Sequence, residues 1–472
     1  MLDTLDEINW AGLVHAYGPA DDVPGQIRRL RSTDPKDRER ARWELYGNIF
    51  HQGTRYEATA YAVPFLLELL ADPATPEPAP LIELLVSIAI GYDETWLPTG
   101  LPVAEFRRAA EAALLAAAPR PGDEGYDEDY SEYDYVESLS GADQERLGTY
   151  VALAAYDAVR VGVPLFRSLL THADPAVRIS AAYVLAWFPE EATGSLSALS
   201  ALVRSAVATG EAAAGDEAGT AATAAAGQAG TAATAAAGQA GTAATAAAGQ
   251  AGTAATAAAG QAGTAATAAA GQAGVVATGL VATGLLGGVP DAALLADPRP
   301  AVRWAAAVGR AGALGVDVDP GTVAELVTWT ARPPDEPGVG PDQLGGYVPF
   351  LGGDLSGHAG LALQQVGPEH TDRAFDALLS RLPTVSGIEA MPVAGEAFRV
   401  AFPDGRIPEG TPFTALTARQ QRLVEVLVRS PETWLIDGRL FGNFIGLVGA
   451  YGLPTSRDGL RAYLAAGAID GA

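Results

Sequence analysis

The sequence predicts an all-α protein: an α-solenoid superhelix of antiparallel helix pairs, interrupted by an Ala/Gly/Thr-rich insertion with an 11-residue repeat. Three observations predict it. First, one block recurs with an ungapped offset of 140 residues. Val23-Pro24, then Asp34-Pro35-Lys36-Asp37-Arg38, Ala41 and Leu45, return as Val163-Pro164, then Asp174-Pro175-Ala176-Val177-Arg178, Ala181 and Leu185. A fragment returns again from Pro300 through Arg303 to Ala307. Second, hydrophobic residues are 49% of the chain, enough to fill a core; most are Ala, Leu and Val, which suit helix-on-helix packing, and strand signals are scarce. Third, Ala218 to Gln272 is five perfect copies of Ala-Gly-Thr-Ala-Ala-Thr-Ala-Ala-Ala-Gly-Gln. Recurrence of a two-helix unit is the mark of a solenoid, which grows by stacking.

The recurring block has a physical reading. Val-Pro opens a first helix, because proline at the first helical position loses no bond the helix needs. Asp34 and Asp174 cap a second helix, with Pro35 and Pro175 at its first position. Arg38 and Arg178 follow four residues after the cap, where they reach an acceptor in the neighbouring repeat. Small residues such as Ala181 and Ala182 let the second helix pack closely.

The pattern Asp-Pro-x-Val-Arg-x-x-Ala-Ala-x-x-Leu resembles the HEAT-repeat family and its phycobilin-lyase-like variants. Asp174 to Leu185 matches best; Asp34 to Leu45 has Asp37 in place of the Val, and Arg299 stands where the third cap Asp belongs. Val63-Pro64-Phe65-Leu66 and Val348-Pro349-Phe350-Leu351 repeat the first-helix opening alone. The resemblance implies fold far more than function.

The remaining elements follow in order. Leu2 to Tyr17 reads as an amphipathic capping helix on Leu5, Ile8, Leu13 and Val14. Tyr46 to Glu57 is a connection of glycines with aromatic and polar groups: Tyr46, His51, Arg55, Tyr56 and Glu57. Helix resumes over Val63–Ala71 and over Leu81–Ile90, the latter apolar nearly all round and so buried on several sides. Tyr92, Asp93, Glu94 and Trp96 make a second polar-aromatic loop. Val103–Ala118 is a strong helix former. Pro119–Ser140 is an acidic insertion interleaved with Tyr126, Tyr130 and Tyr133; its like charges do not pack. Ser140 caps the next helix. Further helices are expected from Asp319-Pro320 to Thr330 and over Leu355–Val366, Thr371–Leu382, Thr417–Arg429, Leu440–Tyr451 and Ser456–Ala465. Thr417 with Gln420 forms a capping box. The expected organisation is therefore 1–210, an N-terminal solenoid; 211–274, the tandem repeats; and 275–472, a C-terminal helical region.

In a helix, the eleven-residue period keeps equivalent threonines such as Thr220 and Thr231 on one face about 16.5 Å apart. That spacing is similar to the Ala-rich helical antifreeze proteins. Two glycines per copy, each costing about 1 kcal/mol relative to Ala, weigh against a stable isolated helix and against ice binding.

Charge and composition exclude several classes. Lys+Arg is 30 and Asp+Glu 56, a net charge of −26, which repels phosphate backbones and favours a basic protein partner over nucleic acid. No charged residue lies between Glu217 and Asp291, but the strongly apolar run Val275–Leu286 is shorter than the roughly 20 residues of a membrane span. The absence of cysteine excludes disulfides and fits a cytoplasmic protein. The five histidines show no metal spacing, and no phosphate loop or nucleophile elbow occurs, so no metal or cofactor is expected.

The expected function is therefore a non-enzymatic scaffold that binds another protein, an immunity or regulatory protein being one specific version. The candidate contacts are Tyr46, His51, Arg55, Tyr56, Glu57, Tyr92, Asp93, Glu94 and Trp96, with Tyr126, Tyr130 and Tyr133 as a separate site for a basic partner. Two alternatives stand beside it. One is a HEAT-like enzyme using the His51, Arg55 and Glu57 region, the resemblance raising lyases and DNA glycosylases. The other is a rod formed by the eleven-residue repeats. Trp43, Trp187, Trp304 and Trp329 are expected in the core.

Overall fold

The structure is a computed structural model that describes residues 2–111, 140–208, 270–334 and 345–469. The acidic segment with Tyr126, Tyr130 and Tyr133, and the eleven-residue copies up to residue 269, lie outside the described residues. The described chain is all-α, with three two-stranded hairpins as its sole strands.

The capped blocks form as their residues dictate. Helix α1 (Val23–Arg29) and helix α2 (Pro35–Asn48) are joined by a turn in which the Asp34 carboxylate accepts from the Lys36 N–H at 3.0 Å. Asp174 does the same for the Ala176 N–H at 2.9 Å. The arginine four residues after the cap closes the turn each time. Arg38 Nη1 donates to the Ser32 carbonyl at 2.9 Å, Arg178 Nη1 to His172 at 2.7 Å, and Arg303 Nη1 to Asp297 at 2.9 Å. Each guanidinium then reaches onward: Arg38 to Glu77 at 3.0 Å, Arg178 to Gln272 at 3.3 Å and Arg303 to Glu325 at 3.2 Å. One side chain thereby satisfies an orphan carbonyl and ties its helix to another.

Helix α3 (Glu57–Ala71) and helix α4 (Pro78–Ile90) follow, then α5 (Val103–Glu111), α6 (Gly141–Arg160), α7 (Val163–Leu169) and α8 (Pro175–Leu185). Helices α2 and α4 run in the same direction: Arg38 and Arg42 meet Glu77 at one end, and Tyr46 meets Ser87 at the other. Helix α4 packs in turn on α6 and α8, which explains its all-round apolar sequence. After α9 (192–208) come α10 (270–285), α11 (Pro300–Leu314), α12 (Pro320–Ala331) and α13 (Leu355–Ala362). Helices α14 (Thr371–Arg381), α15 (Gly387–Ala401), α16 (Ala418–Arg429), α17 (Gly442–Ala450) and α18 (Arg457–Ile469) complete the chain. One continuous buried cluster runs from Leu5 to Ala374, and a second from Phe375 to Leu460.

Several expectations need correction. Leu2–Tyr17 is two short 3₁₀ turns, Leu5–Glu7 and Trp10–Gly12, and a hairpin of β1 (Val14–His15) with β2 (Gly18–Pro19). The Trp10 indole donates to the Leu5 carbonyl at 2.7 Å, taking the acceptor that an α-helix gives to residue 9. Val63-Pro64 does not open a helix; Pro64 sits inside α3. The Thr59 hydroxyl accepts from the Tyr56 N–H at 2.8 Å and donates to the Ile49 carbonyl at 2.6 Å, which starts α3 earlier, at Glu57. Val348-Pro349 leads into a 3₁₀ turn, Phe350–Gly353, rather than a helix. Helix α15 carries Pro392 in its interior, which hides it from a propensity reading.

Candidate functional site

The site is built around a hairpin of β3 (Phe50–His51) with β4 (Thr54–Arg55). Gln52 at φ 50° and Gly53 at φ 89° make its turn, a positive-φ pair that matches the twist of paired strands. Phe50 pairs with Arg55 and His51 with Thr54. Successive strand residues face opposite sides, so Phe50 and Arg55 share one face while His51 lies on the other. On the first face the Phe50 ring stands edge-on to Tyr46 at 4.9 Å and to Tyr92 at 5.7 Å. Arg55 lies over Gly91 and donates from Nη1 to the Gly53 carbonyl at 2.8 Å. Burial with no carboxylate against it lowers this guanidinium to about 10, and its Nε has no partner. On the second face His51 meets Tyr17, Nδ1 to hydroxyl 3.3 Å.

The two connections singled out in the sequence therefore fold into one surface. The Tyr92 ring lies so close to Gly53 that a Cβ there would approach it to 3.1 Å. Tyr92 and Glu94 face outward. Asp93, grouped with the contact residues by sequence, turns inward instead. Its carboxylate accepts from the Tyr183 hydroxyl and from the Leu351 N–H, both at 2.9 Å. Burial pushes it up to about 6 against the pull of those two donors. It braces α8 and the turn at Leu351, whose φ is 53°. Trp96 is likewise a brace: its indole donates to the Ile90 carbonyl at 2.7 Å and its ring meets Phe106. Tyr56 and Glu57 are half-buried at the start of α3. His51 and Arg55 stand on opposite faces, so they do not form one acid–base constellation.

Beside this surface a groove of about 810 Å³ runs between α2 and α4. Trp43 lines it and is 77% exposed, contrary to the core position expected for it. The signal was present in the sequence. The buried stripe of α2 is Arg38, Ala41, Leu45 and Asn48, and Trp43 is two residues from both Ala41 and Leu45, hence on the opposite side. The other three tryptophans expected in the core, Trp187, Trp304 and Trp329, are buried.

Charge in the groove is unevenly satisfied. Arg38 and Arg42 pair with Glu77, and Arg29 pairs with Asp37 and Glu44. Lys36, which is the chain's sole lysine, and Glu39 and Arg40 line the groove with no ion pair among the described residues. Glu83 opposite them accepts from the Ser180 hydroxyl at 3.4 Å. Desolvation by the groove walls raises its carboxyl above the ordinary range, with the Ser180 hydroxyl and the nearby Arg42 opposing.

Two of the remaining histidines are buried. His15 bonds Asp22 at 3.0 Å, and His358 lies between Trp304 and Phe350, where burial lowers it to about 3 and keeps it neutral. Among the described residues no group of three or more His, Cys, Asp or Glu is placed to hold a metal ion, and no helix is long and apolar enough to cross a membrane.

No family model and no curated protein matches this chain. Among solved structures, the crystal structure of an engineered protein aligns with 93% of this chain and 99% of its own at 15% identity, with a TM-score of 0.22. A likeness that low carries no argument about fold or function.

Proposed function

We propose that this chain is a HEAT-like α-solenoid scaffold that binds another protein through the surface carrying Tyr17, Trp43 and Tyr92. One observation carries the reading. The Tyr46–Glu57 and Tyr92–Trp96 connections, distant in sequence, meet around Phe50, with Trp43 at 77% and Tyr92 at 41% exposed beside it and Tyr17 at 69% exposed across the hairpin, next to His51. Tyr and Trp dominate binding hot spots because they present a large apolar area at low entropy cost. Three further facts support the repeat reading: the like-directed α2 and α4, the matching caps at Asp34 and Asp174, and the Arg that closes the same turn three times. An immunity or regulatory protein, which masks the protein it binds, is the specific form we favour.

The test is capture from native lysate on the immobilised chain, with a Tyr17→Ala/Trp43→Ala/Tyr92→Ala variant in parallel. A protein that saturates the wild type and is lost from the variant, at equal thermal stability, is the expected result. A partner held equally by both would move the site elsewhere on the molecule.

A further inference from the structure

The groove between α2 and α4 holds charges that the fold leaves unused, and these name the chemistry of the partner; the inference rests on the scaffold reading above. On the α2 wall most ionic groups are committed internally: Arg38 and Arg42 to Glu77, Asp37 and Glu44 to Arg29. Glu39, Lys36 and Arg40 have no ion pair among the described residues, and Glu83 has one long hydrogen bond, from Ser180, with Arg42 near enough to act on it electrostatically. Both carboxylates are solvent-accessible from the groove that Trp43 and Tyr46 also line. An accessible carboxylate in a recess with an exposed indole is an arrangement that a planar guanidinium completes. It pairs with the oxygens through its N–H fork and lies against the aromatic face. The net charge of −26 adds a long-range field that draws a basic partner and repels an acidic one.

We propose that this groove receives an arginine side chain from a basic segment of the partner protein, its guanidinium pairing with Glu83 and lying against Trp43. Lys36 and Arg40 stand earlier along α2 and exclude a second cation from that end. The groove therefore reads a spaced arginine rather than an unbroken basic run.

The experiment is fluorescence anisotropy with a defined probe, a fluorescein-labelled nonapeptide of Gly and Ser with one central Arg and one Arg near its end. A matched peptide carries Glu at both places. The full-length chain is titrated in about 0.1 M salt, where the field of distant charges is largely screened. Saturable binding of the arginine peptide is expected, weakened roughly fivefold by Glu83→Gln and by Trp43→Ala. Glu432→Gln, an exposed carboxylate in the C-terminal region, should change it by less than about twofold. Circular dichroism on each variant verifies folding. Absence of binding, or equal binding by all variants, overturns the proposal, the latter showing diffuse electrostatic attraction. Binding of the Glu peptide, lost on Arg40→Ala, overturns it in favour of an acidic occupant. If a lysate partner is still lost from the triple aromatic variant after any of these failures, the groove chemistry falls and the scaffold reading stands.

Discussion

Two hairpins in this molecule share one local design and differ in what surrounds them. Phe50–Arg55 turns on Gln52-Gly53, with φ of 50° and 89°; Leu435–Leu440 turns on Asp437-Gly438, with φ of 51° and 72°. Each links two helices. In the first, Phe50 is fully buried and Arg55 is pressed over Gly91, so the hairpin is fused to the Tyr92 loop. In the second, Leu440 is 70% exposed, and nothing lies within 4 Å of a Cβ built at Gly438. A positive-φ turn sets the shape of a hairpin; the tertiary contacts decide whether that shape organises a surface.

Gly91→Ala should cost about 3 kcal/mol, because φ of 77° with ψ of −124° is strained for any Cβ and the methyl would meet Arg55 Nη1 at 2.8 Å. Gly438→Ala should cost only about 1 kcal/mol, the backbone strain alone. Equal losses in urea unfolding would show that the first hairpin is no better anchored than the second.

Asp93→Ala should cost about 2–3 kcal/mol by leaving the Tyr183 hydroxyl and Leu351 N–H buried without an acceptor. Asp437→Ala, on an exposed turn, should stay near 1 kcal/mol or below.

The same carboxylate gives a pH signature. Burial raises Asp93 from 3.8 to about 6 on folding. A raised carboxyl contributes stability below its unfolded value and loses it as pH climbs through the folded value. Asp93→Asn lacks this dependence, so its stability relative to wild type should rise by about 2 kcal/mol between roughly pH 4 and pH 7. A flat difference across that window would mean that Asp93 is not held in the buried, doubly bonded geometry.

The smallest expected effect is on the exposed wall. Trp43→Ala should change stability by less than about 0.5 kcal/mol, because an outward side chain leaves no cavity. Trp304→Ala, fully buried with its indole donating to the Leu355 carbonyl at 2.8 Å, should cost about 3–5 kcal/mol. A large loss from Trp43→Ala would place that residue in the core after all.

What the sequence disclosed follows the range of the forces involved. The caps at Asp34 and Asp174, the capping box at Thr417 and Gln420, and the reach of Arg38 and Arg178 were legible because each acts within a turn or through one long side chain. The start of α3 was not, because it depends on Thr59 bonding Ile49 across the hairpin. The N-terminal segment misled because its apolar spacing fits a helix, while the Trp10 indole removes a helical acceptor. The candidate residues were legible as a composition, aromatic and polar in two loops. Their division was not: Tyr92 outward, Asp93 and Trp96 inward, and His51 opposite Arg55 all depend on pairing register and on contacts with Tyr183, Leu351 and Gly91.

Hydroxyl-radical footprinting of the chain with and without its captured partner locates the binding surface residue by residue. The partner should protect Tyr17, Trp43 and Tyr92 while Leu440 and its hairpin keep their free reactivity. Protection confined to the Leu435–Leu440 hairpin, with Trp43 and Tyr92 unchanged, would contradict it.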